Sequence, residues 1–353
     1  MYRITTLDGR SSCSKPIGLL ASMLQFEGRK SKLTHFVFNC VLIYINLHDI
    51  WLFNTKTKLE MCFETVYLIS LNVLLFWSLR LNSNKGRYIE LIGTFEDQTR
   101  CNLDNAAVYH HFASIRNIFR ISLVSAMIFF TFAIIYNTIM TFRKSDDYVQ
   151  LGEHLLLGLA DLICILCFQF YNQFLVESCL HIHACWLTVN EHVRSLDNIE
   201  SRVLNIYKVR QVRSMYSIAA VITEKMDSFL RIPLFNFYSY FITSSFDLMA
   251  QVWSLPTVFG FIGLLIRVFT MTLIIYSTIH IHYLSNKCFD DVYSLSYKVR
   301  STALDNEVQL FLDRISQSVV GFSFLKISLI TPTFVTAWSS TMLAFVLSLP
   351  SLF

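Results

Sequence analysis

The sequence predicts an all-α membrane protein with seven transmembrane helices. Three observations carry this expectation. The 353 residues are 54% hydrophobic and only 15% charged, with 31 Phe and a mean hydropathy of +0.48, whereas about a quarter of a soluble domain is charged. Seven apolar runs reach the roughly 20 residues needed to cross a bilayer: 33–53, 60–80, 118–142, 153–178, 229–251, 254–283 and 317–349. Finally, the links between them alternate strictly between short and long, which puts the two kinds on opposite sides.

Lysine and arginine decide which side is cytoplasmic. The arm to Lys32 holds six, the link between runs two and three with its flanks six, the link between four and five six, and the link between six and seven four. The opposite side holds only Lys56, Lys58, Arg143 and Lys144. Twenty-two against four predicts a cytoplasmic amino terminus and an extracellular carboxyl terminus. Met1 to Lys32 is mixed polar and basic, so no cleavable signal peptide is expected.

Each run has its own reading. The first two are joined by the short link Asn54 to Leu59, the third and fourth by Arg143 to Gly152, and the fifth and sixth around Gln251 to Trp253. The long link after run four has apolar residues at helical spacing and neither Pro nor Gly from Cys185 to Leu230. Runs four, five and six are therefore expected to continue below the membrane as packed helices. The Cys164–Cys167 pair, on a predicted membrane helix, reads as buried neutral thiols.

No catalytic constellation is present in the sequence. A nucleophile elbow, a phosphate loop and an HExxH motif are all missing, so neither an enzyme nor a cofactor or metal is expected. His280 and His282 fall on different helix faces, and His110, His111, His181 and His183 read as solvated or interfacial. No nucleic-acid partner is expected of a chain whose basic residues flank apolar runs.

Ionisable groups inside a membrane are costly and mark functional sites by default. Here they are Glu64, Glu153, His154, Asp161, Asp247 and Arg267. They pair structurally, as Asp161 or Asp247 with Arg267, or they form the polar floor of an outward-opening ligand pocket. In the second reading Tyr67, Tyr136, Tyr240, Phe246, Trp253 and Phe259 supply the walls, and a volume of roughly 300–1,000 Å³ is expected.

The last run joins hydroxyls to leucines. Thr333, Thr336, Ser340, Leu343 and Leu347 recur at helical steps of three or four, so they share one face. Such a stripe suits either small-residue helix packing or a water-filled pore gated by dewetting at the leucines. For the pore the candidate residues are Thr336, Ser339, Ser340, Leu343, Val346 and Leu347.

At this point the chain resembles the insect chemoreceptor superfamily, most closely a divergent gustatory receptor. "HACWLTVNEHVRSL" resembles the pattern that ends the family's fourth segment, and "VRQVRSMYSIAAVITEKMDSFLRIPLFNFY" the run entering its fifth. "KPIGLLASMLQFEGRK" is similar to its short amino-terminal helix. Gly321 to Val346 matches the terminal block, except that Ser339 and Ser340 replace a Thr-Tyr pair, and Val346 and Leu347 replace Gln-Phe. The resemblance implies a ligand-gated, non-selective cation channel that passes monovalent and divalent ions. It implies a homo- or heterotetramer in the plasma membrane of sensory neurons, opened by a tastant or other small molecule. The expected organisation is a cytoplasmic arm with a short helix (1–32), a six-helix ligand-binding bundle with cytoplasmic extensions at 179–228 (33–283), and an anchor helix followed by the pore-lining helix (284–353).

Two other classes fit seven apolar runs. A G-protein-coupled receptor would require the opposite orientation and the Asp-Arg-Tyr and Asn-Pro-x-x-Tyr signatures, which are missing. Lys326 in the last run invites an opsin reading, but the predicted orientation puts it near the inner interface, where it would snorkel. A transporter would show inverted repeats or paired broken helices, and neither is seen.

Overall fold

The structure, a computed structural model, describes residues 29–52, 65, 68–69, 72, 84–103, 105–144, 148–200, 204–254, 258–317 and 320–348. Eight helices and one small hairpin are described in that range. They are α1 (Arg29–Leu52), α2 (84–99), α3 (Ala106–Lys144), α4 (Tyr148–Asp197), α5 (Ile206–Ser254), α6 (Val258–Ser296), α7 (Thr302–Gln317), β1 (Ser323–Phe324), β2 (Ser328–Leu329) and α8 (Pro332–Ser348).

Local chemistry sets the boundaries. Asn105 caps α3 by accepting the Val108 N–H at 2.8 Å, and Asn205 caps α5 through Tyr207 N at 3.0 Å. Ser301 and Thr331 do the same for α7 and α8, with Pro332 at the first helical position of α8, where its missing N–H costs nothing. At the other end of α2, Arg100 adopts a left-handed φ of 56° and closes the helix on the Glu96 carbonyl at 2.8 Å.

The long helices extend as the uninterrupted patterning predicts. α4 has 50 residues and α5 has 49. At 1.5 Å per residue α4 is about 75 Å long, well beyond a hydrocarbon layer of about 30 Å. Helices take in residues that the sequence reading assigns to links. α5 runs through Gln251 to Ser254, and α3 and α4 take in most of the stretch from Arg143 to Gly152.

Burial divides the bundle in two. The second half of α4, the first half of α5 and the second half of α6 bury Trp186, Tyr216, Met226, Ile281 and Leu284, with α2, α7 and the residue before the hairpin adding Tyr88, Phe311 and Phe322. Toward the other ends of α3 and α6, apolar side chains face outward: Ile121, Phe132 and Leu265 are each more than 60% exposed. Among the described residues, two helices are long and apolar enough to cross a membrane, within α3 and α6. A continuous apolar surface of this kind suits lipid and would be costly in water. Here α3 and α4 also approach closely, since a Cβ on Gly158 would come within 2.7 Å of Ile134.

One predicted element needs correction. The run 317–349 is not one helix: α7 ends at Gln317, residues 323–329 form the hairpin, and a helix resumes only at Pro332. Lys326 consequently lies exposed on the hairpin turn rather than in a helix.

Candidate functional site

Polar contacts hold the helices around the site together. α3 and α4 run antiparallel, and polar pairs join them at successive levels. Asn105 donates to Glu191 at 2.8 Å, His111 Nε2 meets His183 Nδ1 at 3.0 Å, and Arg116 clamps Glu177 with two N–H groups at 2.9 and 2.6 Å. The Arg116 guanidinium also lies 4.9 Å from the Phe112 ring. Farther along, Ser122 and Thr270 tie α3 to α6 at 3.3 Å.

α5, α7 and the hairpin are tied in by acids. Glu307 accepts from Arg213 at 2.7 Å and from Arg210 at 3.4 Å. Asp197 takes hydrogen bonds from Lys298 and Ser294, which hold its carboxyl below the usual carboxylate range. Asp227 accepts the Ser323 N–H and hydroxyl, both at 2.7 Å, and so fixes the hairpin to α5. Burial lifts the Asp227 carboxyl, opposed by those two bonds and by the charges of Arg231 and Lys326.

These acids and arginines were not foreseen as a network. Nor were the buried histidines, since His181 and His183 are 2% and 0% exposed, not solvated. Burial takes His181 down to about 4 and, with His111 and His280 beside it, drives His183 well below the ordinary imidazole value. The sequence held one signal for this: His111, His183 and His280 all sit just beyond or at the predicted inner ends of runs three, four and six.

Along the outward-facing apolar surfaces of α3 and α6 lies an open, shallow cavity of about 730 Å³. Ser125, Phe129, Phe132, Tyr136, Ile262 and Ile266 are among the residues lining it. Its wall is hydrocarbon and aromatic, with the Ser125 hydroxyl and the Tyr136 phenol as polar features. Chemically it can hold an uncharged, largely apolar small molecule and little else.

Of the residues foreseen for a pocket, Tyr136 lines this cavity. Arg267 follows the lining residue Ile266 and is half-buried. Tyr240 instead stacks on Phe168, with ring centroids 3.6 Å apart, at the edge of the core. Glu64 and Tyr67, and the side chains of Asp161, Phe246, Asp247 and Phe259, lie outside the described residues. On α8, Thr336 and Ser340 are exposed and bond back to their own helix, to the Thr333 and Thr336 carbonyls at 2.9 and 2.8 Å, and Ser339 is exposed. The side chains of Leu343, Val346 and Leu347 lie outside the described residues.

No protein-family model matches the sequence, and no curated protein matches it. Solved structures do. The insect olfactory receptor OR5 from Machilis hrabei superposes with a TM-score of 0.62 at 8% identity, over 91% of this chain and 88% of that one. The fold is that of an insect olfactory receptor. Identity this low carries the fold and nothing finer, but it spans nearly the whole chain. With the apolar surfaces of α3 and α6 exposed, a helical membrane protein is the reading of the chain as a whole.

Proposed function

We propose that the chain is a chemoreceptor-like, ligand-gated cation channel of the plasma membrane. One observation carries this: the likeness over 91% of the chain to an insect olfactory receptor, reached independently of the sequence features that resemble the same superfamily. Seven spans, a cytoplasmic amino terminus and an arm, bundle and anchor-plus-pore organisation complete the reading. So do four subunits, identical or related, with α8 from each facing a common axis. The exposed hydroxyls of Thr336, Ser339 and Ser340 support that role for α8, as does its spacing of Leu343 and Leu347. A gustatory specialisation in sensory neurons is the finer form of the proposal.

The cavity between α3 and α6 points to the ligand. Its Ile and Phe walls favour an uncharged molecule rich in hydrocarbon, oriented by the Tyr136 phenol. Asp161, Asp247 and Arg267 stand as the proposed polar contacts beyond it. Whole-cell recording from cells expressing the chain, with a panel of apolar small molecules, tests this. A ligand-evoked cation current is expected, and Phe132→Ala and Tyr136→Ala should shift its concentration dependence at normal surface delivery. If no panel member evokes current although the protein reaches the surface, or if both variants respond as the wild type does, the cavity assignment is lost.

A further inference from the structure

We infer that His111, His183 and His280 form a proton-binding site whose occupancy loosens the contact of α3 with α4 and α6. This goes beyond the proposed function and does not depend on it. The three imidazoles come from three helices and meet at one point. Ring centroids are 5.1 Å apart for His111 and His183, 5.4 Å for His111 and His280, and 5.0 Å for His183 and His280.

Hydrogen bonding fixes where protons can go. The Ser277 carbonyl, 2.8 Å from His183 Nε2, can only accept, so that nitrogen carries hydrogen. His183 Nδ1 is then the acceptor, and His111 Nε2 at 3.0 Å donates to it. An added proton enters at His111 Nδ1 and leaves that bond intact, strengthened by charge. The next belongs to His280, whose ring is stacked on His111 at an interplanar angle of 20°. Two stacked imidazolium rings repel.

Among the described residues no carboxylate acts on the three rings to offset that repulsion, and ring faces compensate it only in part. Tyr276 and Tyr283 stack on His280 from its own helix, at 5.2 and 5.4 Å, and Lys287 lies over the Tyr283 ring at 5.8 Å, adding a cation. The Glu177 carboxylate, lower on α4, is occupied by Arg116. Separation of α3 from α6 is the available relief, because it returns each ring to water. An imidazole in water titrates near 6.5. Each ring that the closed contact holds neutral therefore favours the open form by about tenfold at pH 5.5 relative to pH 7.5.

Hydrogen–deuterium exchange on the full chain in lipid nanodiscs reads this directly, in peptides covering 106–117 and 274–284. After correction for intrinsic exchange, wild-type protection there should fall roughly tenfold or more between pH 7.5 and 5.5. H111Q keeps an N–H for His183, and H280F keeps a ring in the stack. The double variant leaves His183 alone to take up a proton on opening, so its loss of protection should be about tenfold smaller than that of the wild type. Equal wild-type protection at both pH values overturns the inference, as does an undiminished loss in the double variant. Should the double variant be unprotected already at pH 7.5, H280F alone decides: a smaller loss than wild type supports the site, and an equal loss removes it.

Discussion

Arg116 and Glu177 are a buried pair, with side chains 11% and 5% exposed, joined by two charge-assisted hydrogen bonds. Removing one partner strands the other charge away from water, at a cost of about 3–5 kcal/mol. Arg116→Met or Glu177→Leu alone should therefore lower the thermal midpoint of the detergent-solubilised protein sharply. The double variant, which buries apolar groups of similar size, should recover most of the loss. A double variant as unstable as the worse single one would mean that the pair does more than neutralise itself. These residues were partly legible in the sequence. Glu177 lies in the last turn of run four and Arg116 two residues before run three, and neither position names the other as its partner. Only the antiparallel register of α3 and α4 shows that they face one another, and register between distant segments is not written in local spacing.

The hairpin before α8 is the element that the sequence misrepresented. Its residues are apolar enough to extend the last span, and hydropathy does not separate a strand from a helix over so short a stretch. Gly321 and Pro332 were the punctuation that mattered. At the turn, Leu325 and Lys326 both take left-handed angles, with φ of 51° and 61°. Side chains with a Cβ disfavour that region by about 1–2 kcal/mol each, and Asn-Gly is the pair such turns prefer. Leu325→Asn with Lys326→Gly should then raise the thermal midpoint by an amount matching about 1–2 kcal/mol. An unchanged or lowered midpoint would mean that Leu325 and Lys326 contribute contacts worth more than their strain. Beyond the hairpin, α8 carries the proposed pore. Polar substitution at a dewetting ring favours conduction, so Leu343→Ser or Leu347→Ser should raise resting cation current, whereas Phe345→Ser, on another face, should mainly reduce surface delivery. Wild-type resting current in both leucine variants at normal delivery would end the pore assignment.

At the scale of the whole chain, composition and charge carried the most information. Low charge, apolar runs and the Pro-free stretch from Cys185 to Leu230 anticipated a helical chain whose helices outrun a bilayer, and α4 and α5 do so. The cavity was less legible: its Ile and Phe walls come from ordinary apolar spacing that looks the same in any membrane helix. The proposed orientation rests on the basic residues. An epitope tag at the amino terminus should bind antibody only after the cells are permeabilised, and labelling of intact cells would reverse the topology.

α4 is a single unbroken rod of 50 residues without proline, while α5 beside it carries Pro233 near its middle, with the Tyr171 hydroxyl donating to the proline's carbonyl. A stiff lever therefore lies against a jointed one. Over about 75 Å, a tilt of roughly 5° displaces the far end of the rod by about 6 Å, more than a side chain's reach. Under the proposed channel function, a small change of girth in the lipid-facing half would be delivered, magnified, to the buried half, while the proline-bearing neighbour would absorb the mismatch. Leu166→Pro would cut the lever at a cost of about 3 kcal/mol. The expected result is a channel that still binds its ligand but no longer opens to it, and ligand-evoked current of wild-type size would show that the stroke travels by another route.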